Sequence, residues 1–540
     1  MTLLSSINSS PALDAQRQAV APSTSPARST ATAATMPAFI VTLSQSGATA
    51  SAQDGAGMLE SATNPLVWES KPSNALSYLM AYNYSFQPPT GRFSGIGAAM
   101  LDQFKSGVTE ISQTVQQGSP KTQLNPYGGV VLDTPAPLHG LGDNQVTLSI
   151  TTKSGVKVSL SLDSREDGVA VQMKSDGELS DAERGALAKL ALGFQDAIDG
   201  ITSGQPKIEL DGLTQFDSSV LASVDFHASI QQGANASQSL DFHADAAKRT
   251  MSLNGPAGQA QVSVDLSNPL GRGSQAQQSK AIANYLKQFD QASSRGKADA
   301  SLMAMFRDAF TEMNSSYGTP AQARPGVLPS ISLEDQDYSM LTGLADFSAS
   351  ITQANTSPNP MRPSEKDSFS YQLSQHTEIK GSDQADRSIS QTQQSSLQAN
   401  YHLPPSPGIR LVLTTAAESQ NYSYYTINDT ASSSVDMAYQ KGILVKANLS
   451  QSASQSTRIE KYVQGHLTDD TTTPGQTSLT QDLVKTLMPD TKKDETRTPL
   501  ERYQRQQTLS ATNDMIFLQV DPGRLNDEKQ DLMKTVLVTK

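Results

Sequence analysis

Cysteine is absent from all 540 residues of the chain. Disulfide bonds, thiolate nucleophiles, zinc–thiolate sites and iron–sulfur clusters are therefore excluded. Charged residues make up only 17% of the chain, aromatic residues 6%, and Trp68 is the single tryptophan. Ser, Thr, Gln, Asn, Ala and Gly are abundant instead of charged and aromatic residues. This composition favours long loops and sheets with one wet face over a large dense core.

Basic clusters and long apolar runs are also missing. The net charge is −12 at pH 7 and no run of five basic residues occurs, so no nucleic acid and no anionic membrane is expected as the main partner. No apolar stretch is long enough for a membrane span. Residues 1–16 lack the basic and apolar regions of a Sec signal peptide, which predicts a protein that is cytoplasmic or exported by a non-Sec route.

Sequence motifs of catalysis and cofactor binding are absent too. GxSxG, Walker A, HExxH and EF-hand spacings do not occur. The run from Gly95 to Met100 superficially resembles a dinucleotide fingerprint, but Met100 stands where a third small residue is needed, and Pro88 and Pro89 precede the run instead of a strand. Helix packing explains the glycines better, and no cofactor is expected.

What the sequence does contain is a period-two pattern between Leu221 and Leu266. Phe226 and Phe242 belong to a series of apolar residues that alternate with polar ones, and turn residues separate the alternating segments. Such alternation is typical of strands with one buried and one wet face. The pattern predicts a four-stranded antiparallel meander whose apolar face must be covered.

Helical spacing on both sides of the meander supplies candidates for that cover. Apolar residues recur at steps of three and four from Phe93 to Val115, from Leu187 to Ile198 and between Ile282 and Met313. A hairpin is predicted at residues 146–162. The whole pattern indicates an α+β fold, with antiparallel β-sheets (meanders) and amphipathic helices packed on one face of each.

Shifts in composition divide the chain into four parts. Residues 1–60 are rich in Ser, Ala, Thr and Pro and are expected to be disordered. Residues 61–335 are expected to form an α+β domain that contains the hairpin and the meander. Residues 336–470 are expected to form a second β-rich domain, and residues 471–540 a linker and C-terminal segment.

One short sequence occurs twice. Residues 225–232 read DFHASIQQ and residues 346–353 read DFSASITQ, and each follows a helical pattern and a short acidic connector. A duplicated helix-plus-sheet unit would explain the match. A single match of eight residues leaves that question open.

Two of the six histidines, His227 and His243, form a suggestive pair. With the intervening turn centred near Asn235, they should lie directly opposite each other on the polar face of the meander. Three carboxylates flank them on that face: Asp225, Asp241 and Asp245. Imidazoles with carboxylates can bind a divalent metal ion, which makes His227, His243, Asp225 and Asp245 candidate ligands. An ordinary solvated strand face explains the same residues and is the preferred interpretation.

The N-terminus bears on export. It is rich in serine, has Leu3 and Leu4 near its start, and contains no acidic residue before Asp14. This resembles the export region of type III secreted effectors of plant-associated bacteria. A low-complexity tail is the alternative and is preferred.

Three segments carry a family resemblance: residues 143–150 (DNQVTLSI), 176–187 (DGELSDAERGAL) and 213–224 (LTQFDSSVLASV). They resemble a protein family of pseudomonads and related proteobacteria, over roughly residues 90–320, for which no activity is established. Some relatives carry a lactate dehydrogenase label from automatic annotation. The residues here do not support that label, since the chain has no glycine fingerprint and no βαβ alternation.

These observations leave three hypotheses for function. A non-catalytic interaction or structural module, with a protein as the expected partner, is favoured by the missing motifs and by the polar strand faces. The alternatives are an effector exported by a type III-like route and an enzyme of unknown type that would use the His/Asp face. The oligomeric state is left open.

Overall fold

The computed structural model describes residues 66–118, 138–233, 236–317, 331–488 and 497–538. The predicted disorder of residues 1–60 and the export hypothesis for the N-terminus therefore lie outside the described residues.

Fifteen strands in the described ranges form one sheet, and every pairing is antiparallel. In chain order they are β1 (Leu66–Trp68), β2 (Glu110–Gln117), β3 (Asn144–Thr152), β4 (Lys157–Arg165), β5 (Gly168–Ser175), β6 (Leu221–Gln231), β7 (Ser237–Asp245), β8 (Lys248–Gly255), β9 (Gly258–Asp265), β10 (Asp346–Gln353), β11 (Ser368–Gly381), β12 (Arg387–Leu403), β13 (Tyr422–Gln440), β14 (Ile443–Val463) and β15 (His466–Asp482). The order across the sheet is β1-β2-β5-β4-β3-β6, followed by β7 to β15 in sequence. The predicted α+β class, the hairpin and the four-stranded meander are confirmed.

Helices connect and cover these strands. They are α1 (Ala75–Asn83), α2 (Ile96–Gln103), α3 (Asp181–Lys189), α4 (Ala191–Thr202), α5 (Asp211–Thr214), α6 (Gln275–Gly296), α7 (Ala300–Asn314), α8 (Asp335–Ser339), α9 (Val484–Leu487), α10 (Pro499–Met515) and α11 (Pro522–Val538). None of the helices in the described ranges combines the length and apolarity needed to cross a membrane.

The core lies between the helices and one face of the sheet. On β6 the residues Val224, Phe226, Ala228 and Ile230 are buried, while the residues between them are partly exposed. Alternation sends successive side chains to opposite faces, so one face of the sheet is apolar and the other is wet. The long helices α6 and α7 cover the apolar face, where Phe289 packs on Phe306, Phe310 and Tyr371.

Buried glutamines fasten the segment between α10 and α11 to the same face. Gln393 Nε2 donates to the Ile516 carbonyl at 2.9 Å, and Gln451 Nε2 donates to the Met515 and Phe517 carbonyls at 3.0 and 2.9 Å. This backbone has no partner strand of its own. The glutamine side chains satisfy carbonyl groups that would otherwise be buried without a hydrogen bond.

A fully buried ion pair fixes α8. Arg387 Nη2 lies 2.8 Å from Asp337 Oδ2, and the two side chains are 2% and 0% exposed. The Tyr439 hydroxyl donates to the other oxygen of Asp337 at 2.6 Å, and the guanidinium lies 3.7 Å from the centre of the Tyr439 ring. These contacts join α8 to β12 and β13.

The sheet runs without interruption through the predicted boundary at residue 336. β10 pairs with β9 along eight residue pairs, and Phe347 on β10 packs against Tyr285 of α6 with ring centres 5.2 Å apart. The hydrophobic core likewise includes residues from both sides of the boundary. Whether the two parts can fold separately stays a prediction.

Two predicted elements are wrong. The helical pattern from Phe93 extends only through α2 and a short 3₁₀ turn, because Gly107 adopts a positive φ of 79° and the chain continues into β2. Part of the predicted linker, residues 471–482, belongs to β15. Most side chains of β15 are exposed, so the strand has no apolar alternation to signal it, and its order comes from backbone pairing with β14.

Candidate functional site

Two rows of polar side chains cross the wet face of the sheet at right angles to the strands. In each row, directly paired residues follow one another over ten neighbouring strands, from β3 to β14. The first ladder is Thr147, His227, Asp241, Ser252, Gln261, Ser350, Gln372, Ser396, Thr430 and Ser454. The second ladder is Ser149, Asp225, His243, Thr250, Ser263, Ser348, Ser374, Gln394, Ser432 and Ser452.

The two ladders line an open trough of about 1100 Å³, and of their members only Ser454 lies outside it. Neighbouring strands in a sheet lie about 4.8 Å apart, so ten strands give the ladders a length of roughly 43 Å. Hydroxyl and amide side chains occupy the ladders from β9 to β14, whereas the charged members lie on β6 and β7. The trough is thus long and mostly neutral, with a His/Asp cluster at one end.

The register of β6 and β7 corrects the predicted opposition of the two histidines. His227 pairs with Asp241, and His243 pairs with Asp225. The observed pairing differs from the expected one by two residues, and each histidine consequently faces a carboxylate instead of the other imidazole. The prediction that these side chains share the wet face is correct.

Each His–Asp pair is a close contact. His227 Nδ1 lies 2.7 Å from Asp241 Oδ1, and His243 Nδ1 lies 2.7 Å from Asp225 Oδ1. His243 also approaches Asp245, with its Nε2 atom 3.3 Å from Oδ2. His243 therefore contacts a carboxylate through each of its ring nitrogens, whereas the contact of His227 with Asp241 is through Nδ1.

The surroundings of His243 favour its charged form. Partial burial by itself disfavours the imidazolium, but the hydrogen bonds and negative charges of Asp225 and Asp245 outweigh it and raise the pKa of His243. Burial also acts against ionisation of Asp245. The backbone N–H groups of Ala247 and Lys248, together with His243, nevertheless lower the pKa of Asp245. These two shifts favour a cationic His243 beside an anionic Asp245.

The four candidate metal ligands do not converge. Asp225, His227 and His243 line the trough, whereas Asp245 does not. Across the described ranges, no group of three or more His, Asp or Glu side chains has an arrangement suited to hold a metal ion. A metal ion at these carboxylates would have to displace the His243 side chain, which already contacts Asp225 and Asp245. The metal site stays a prediction.

A second His/carboxylate cluster, which the sequence does not predict, lies at the ends of β12 and β13. His402 is 1% exposed, with Nδ1 2.6 Å from Asp367 Oδ1 and Nε2 3.2 Å from Glu365 Oε2. The Tyr422 hydroxyl donates to the same Glu365 oxygen at 2.7 Å. These contacts fasten the loop before β11 to the sheet. Asp367 and Glu365 lie more than thirty residues from His402, and no local spacing could have shown the cluster.

The chain matches no protein-family model, no curated protein and no solved structure. The resemblance to a pseudomonad family is left untested by these comparisons. The function of this site therefore has to be inferred from the geometry of the trough.

Proposed function

We propose that the chain is a non-catalytic interaction module that binds an extended protein segment along the two ladders. The observation that carries this proposal is the continuity of the ladders, which present small polar side chains over ten strands in one open trough. A compact ligand would use only a few of these strands. An extended partner can use all of them.

The chemistry of the ladders suits a polypeptide. Ser and Thr hydroxyls donate and accept hydrogen bonds, and Gln amides do both as well. A polypeptide offers an N–H donor and a carbonyl acceptor at each residue. At about 3.3 Å per residue, an extended segment of roughly 13 residues would span the 43 Å of the ladders.

Other partner classes have weaker support. The ladders carry no Phe, Tyr or Trp ring on which a nucleic-acid base could stack, and Lys248 is the one Lys or Arg among the residues that line the trough. Catalysis by the dyad of His227 and Asp241 is also less well supported. These side chains are 43% and 56% exposed, so water screens the charges on which an activated base depends.

Single-cysteine cross-linking tests the proposal sharply because the chain has no cysteine of its own. We suggest the variant Ser374→Cys, labelled with a benzophenone maleimide and irradiated in a lysate of the source cells. Ser374 lies in the middle of the second ladder. One discrete protein adduct is expected, and proteolysis followed by mass spectrometry should place the cross-link in an extended segment of the partner.

A matched label at Leu192→Cys supplies the control, since Leu192 is 74% exposed on α4 and lies outside the trough. Adding Ser350→Arg to the Ser374→Cys variant should abolish the adduct by filling the trough beside the label. An adduct that survives Ser350→Arg, or that forms equally from Leu192→Cys, would show that the trough is not the binding surface.

A further inference from the structure

A cleft of about 800 Å³ opens on the helix-covered face of the sheet, opposite the trough. Its walls are the C-terminal half of α6, the strands β11 to β14, and the residues around the start of α11. This volume is in the range of small-molecule sites, which are typically apolar with a few directed polar groups.

The apolar part of the cleft is built around two stacked tyrosines. The rings of Tyr401 and Tyr425 lie 5.0 Å apart with an angle of 11° between their planes, and both are only partly buried. Leu403 and Val520, also partly buried, extend this surface. A planar apolar ligand would cover ring and aliphatic surface that the fold itself leaves open.

One residue that lines the cleft has an unsatisfied polar atom. Gln288 is only 5% exposed, and its Nε2 atom donates to the Leu518 carbonyl at 3.3 Å, which fixes the orientation of the amide. Its Oε1 atom has no hydrogen-bond donor among the described residues. The buried hydroxyl of Tyr371, beside Ser395, likewise forms no hydrogen bond of normal geometry. A buried acceptor without a donor is costly, and a ligand with an N–H or O–H group would satisfy it.

The charges that line the cleft leave a positive excess. Arg295 is paired with Asp429, donating to Oδ1 at 2.9 Å. Arg524 is exposed and lies 3.9 Å from Asp521, which also lines the cleft. Asp290 is paired with Arg307, which is not part of the lining. Lys297 is the remaining charge of the lining, so the cleft has an excess of one positive charge, which favours a ligand with a negative group.

We infer that this cleft binds a small amphipathic anion. Its planar apolar body lies on Tyr401 and Tyr425, a hydrogen-bond donor reaches Gln288, and its negative group lies near Lys297 and Arg524. Gln288 and Lys297 are nine positions apart, roughly 13 Å along the helix axis, which suits a ligand of two or three rings. The inference stands apart from the proposed function, because the cleft and the trough lie on opposite faces of the sheet.

Two probes that differ in one group test both parts of the inference. The 2,6 isomer of anilinonaphthalene sulfonate carries its N–H donor and its negative charge at opposite ends of a planar naphthalene, and N-phenyl-2-naphthylamine has the same ring system and donor without the sulfonate. Isothermal titration of the full chain should show one-to-one, micromolar binding of the sulfonate and clearly weaker binding of the neutral probe.

Variants then assign the binding to the cleft. Tyr425→Ala should weaken both probes at least tenfold, because it removes half of the aromatic surface. The double variant Lys297→Gln/Arg524→Gln changes two surface side chains and should weaken the sulfonate by about tenfold while leaving the neutral probe unchanged. Tyr503→Ala and Arg410→Gln, which alter exposed residues elsewhere, should change neither affinity.

Several outcomes would overturn the inference. Binding without defined stoichiometry, or insensitive to both Tyr425→Ala and the double charge variant, would mean that the cleft holds no ligand of this class. Equal affinity for the two probes would refute the negative group. The double charge variant still tests the inference if Tyr425→Ala fails to fold. Failure of partner cross-linking at the trough would not affect the result of the binding measurements at the cleft.

Discussion

Glu312 of α7 allows the packing of the helices to be tested through pH. Burial raises the pKa of its carboxyl to about 8, and the negative charges of Asp211, Asp308 and Glu209 add to the rise. The backbone N–H of Leu210 donates to the carboxyl and acts in the opposite direction, but it does not compensate for the burial. Glu312 is therefore protonated in the folded protein at neutral pH.

This protonation has a definite sign in the pH dependence of stability. In the unfolded chain Glu312 ionises near its ordinary pKa of 4.5, whereas the folded protein retains the proton up to about pH 8. Since the folded state binds more protons between these values, its stability is fully present below pH 4.5 and declines as the pH rises towards 8. At about 1.36 kcal/mol for each pKa unit, the rise from 4.5 to about 8 corresponds to a total loss of about 5 kcal/mol.

The variant Glu312→Gln removes the ionisation while keeping an oxygen that can accept from Leu210. Its free energy of unfolding should be close to that of the wild type at pH 4.5 and higher by roughly 2 kcal/mol at pH 6 and by about 5 kcal/mol at pH 8.5. Urea denaturation followed by circular dichroism gives these differences, provided that the m-value is the same for both proteins.

The exposed Glu178 provides the control, because Glu178→Gln makes the same chemical change in contact with water. Its difference from the wild type should be small. If Glu312→Gln showed no dependence on pH between 4.5 and 9, or if it destabilised the protein most at high pH, the assignment of a buried, protonated carboxyl would be wrong.

Three further predictions concern the fold and the wet face. Arg387→Ala should destabilise the protein by about 3–5 kcal/mol, because it leaves Asp337 buried without a counter-charge. Lys461→Ala breaks an exposed pair and should have a much smaller effect, so equal losses would refute the argument. Phe226→Ala should cost about 3–5 kcal/mol, since its ring is only 2% exposed, and a loss well under 1 kcal/mol would place that ring outside the core. Calorimetry with zinc or nickel should show weak binding without defined stoichiometry at the His/Asp cluster, and micromolar one-to-one binding abolished by His243→Ala would establish a metal site instead.

The alternation in the sequence does not determine which residues pair across the sheet. The register of β6 and β7 depends on the conformation of the turn and on the neighbouring strand β3, neither of which the alternation specifies. A register error of two residues keeps every side chain on its face and changes only its partner. For this reason the faces of His227 and His243 were predicted correctly while their opposition was not.

The sequence by itself determined which side chains are buried and which are wet, because burial on a strand is a local, period-two property of the chain. That was enough to predict an antiparallel α+β fold, with Phe226 and Phe242 in its core. Only the tertiary structure decided that β9 pairs with β10 to give one continuous sheet, and that the exposed residues align as two ladders. It also brought Gln288 of α6 to the side of Tyr371 on β11. These contacts join residues far apart in the chain, and they form only when the backbone of each strand finds its neighbour.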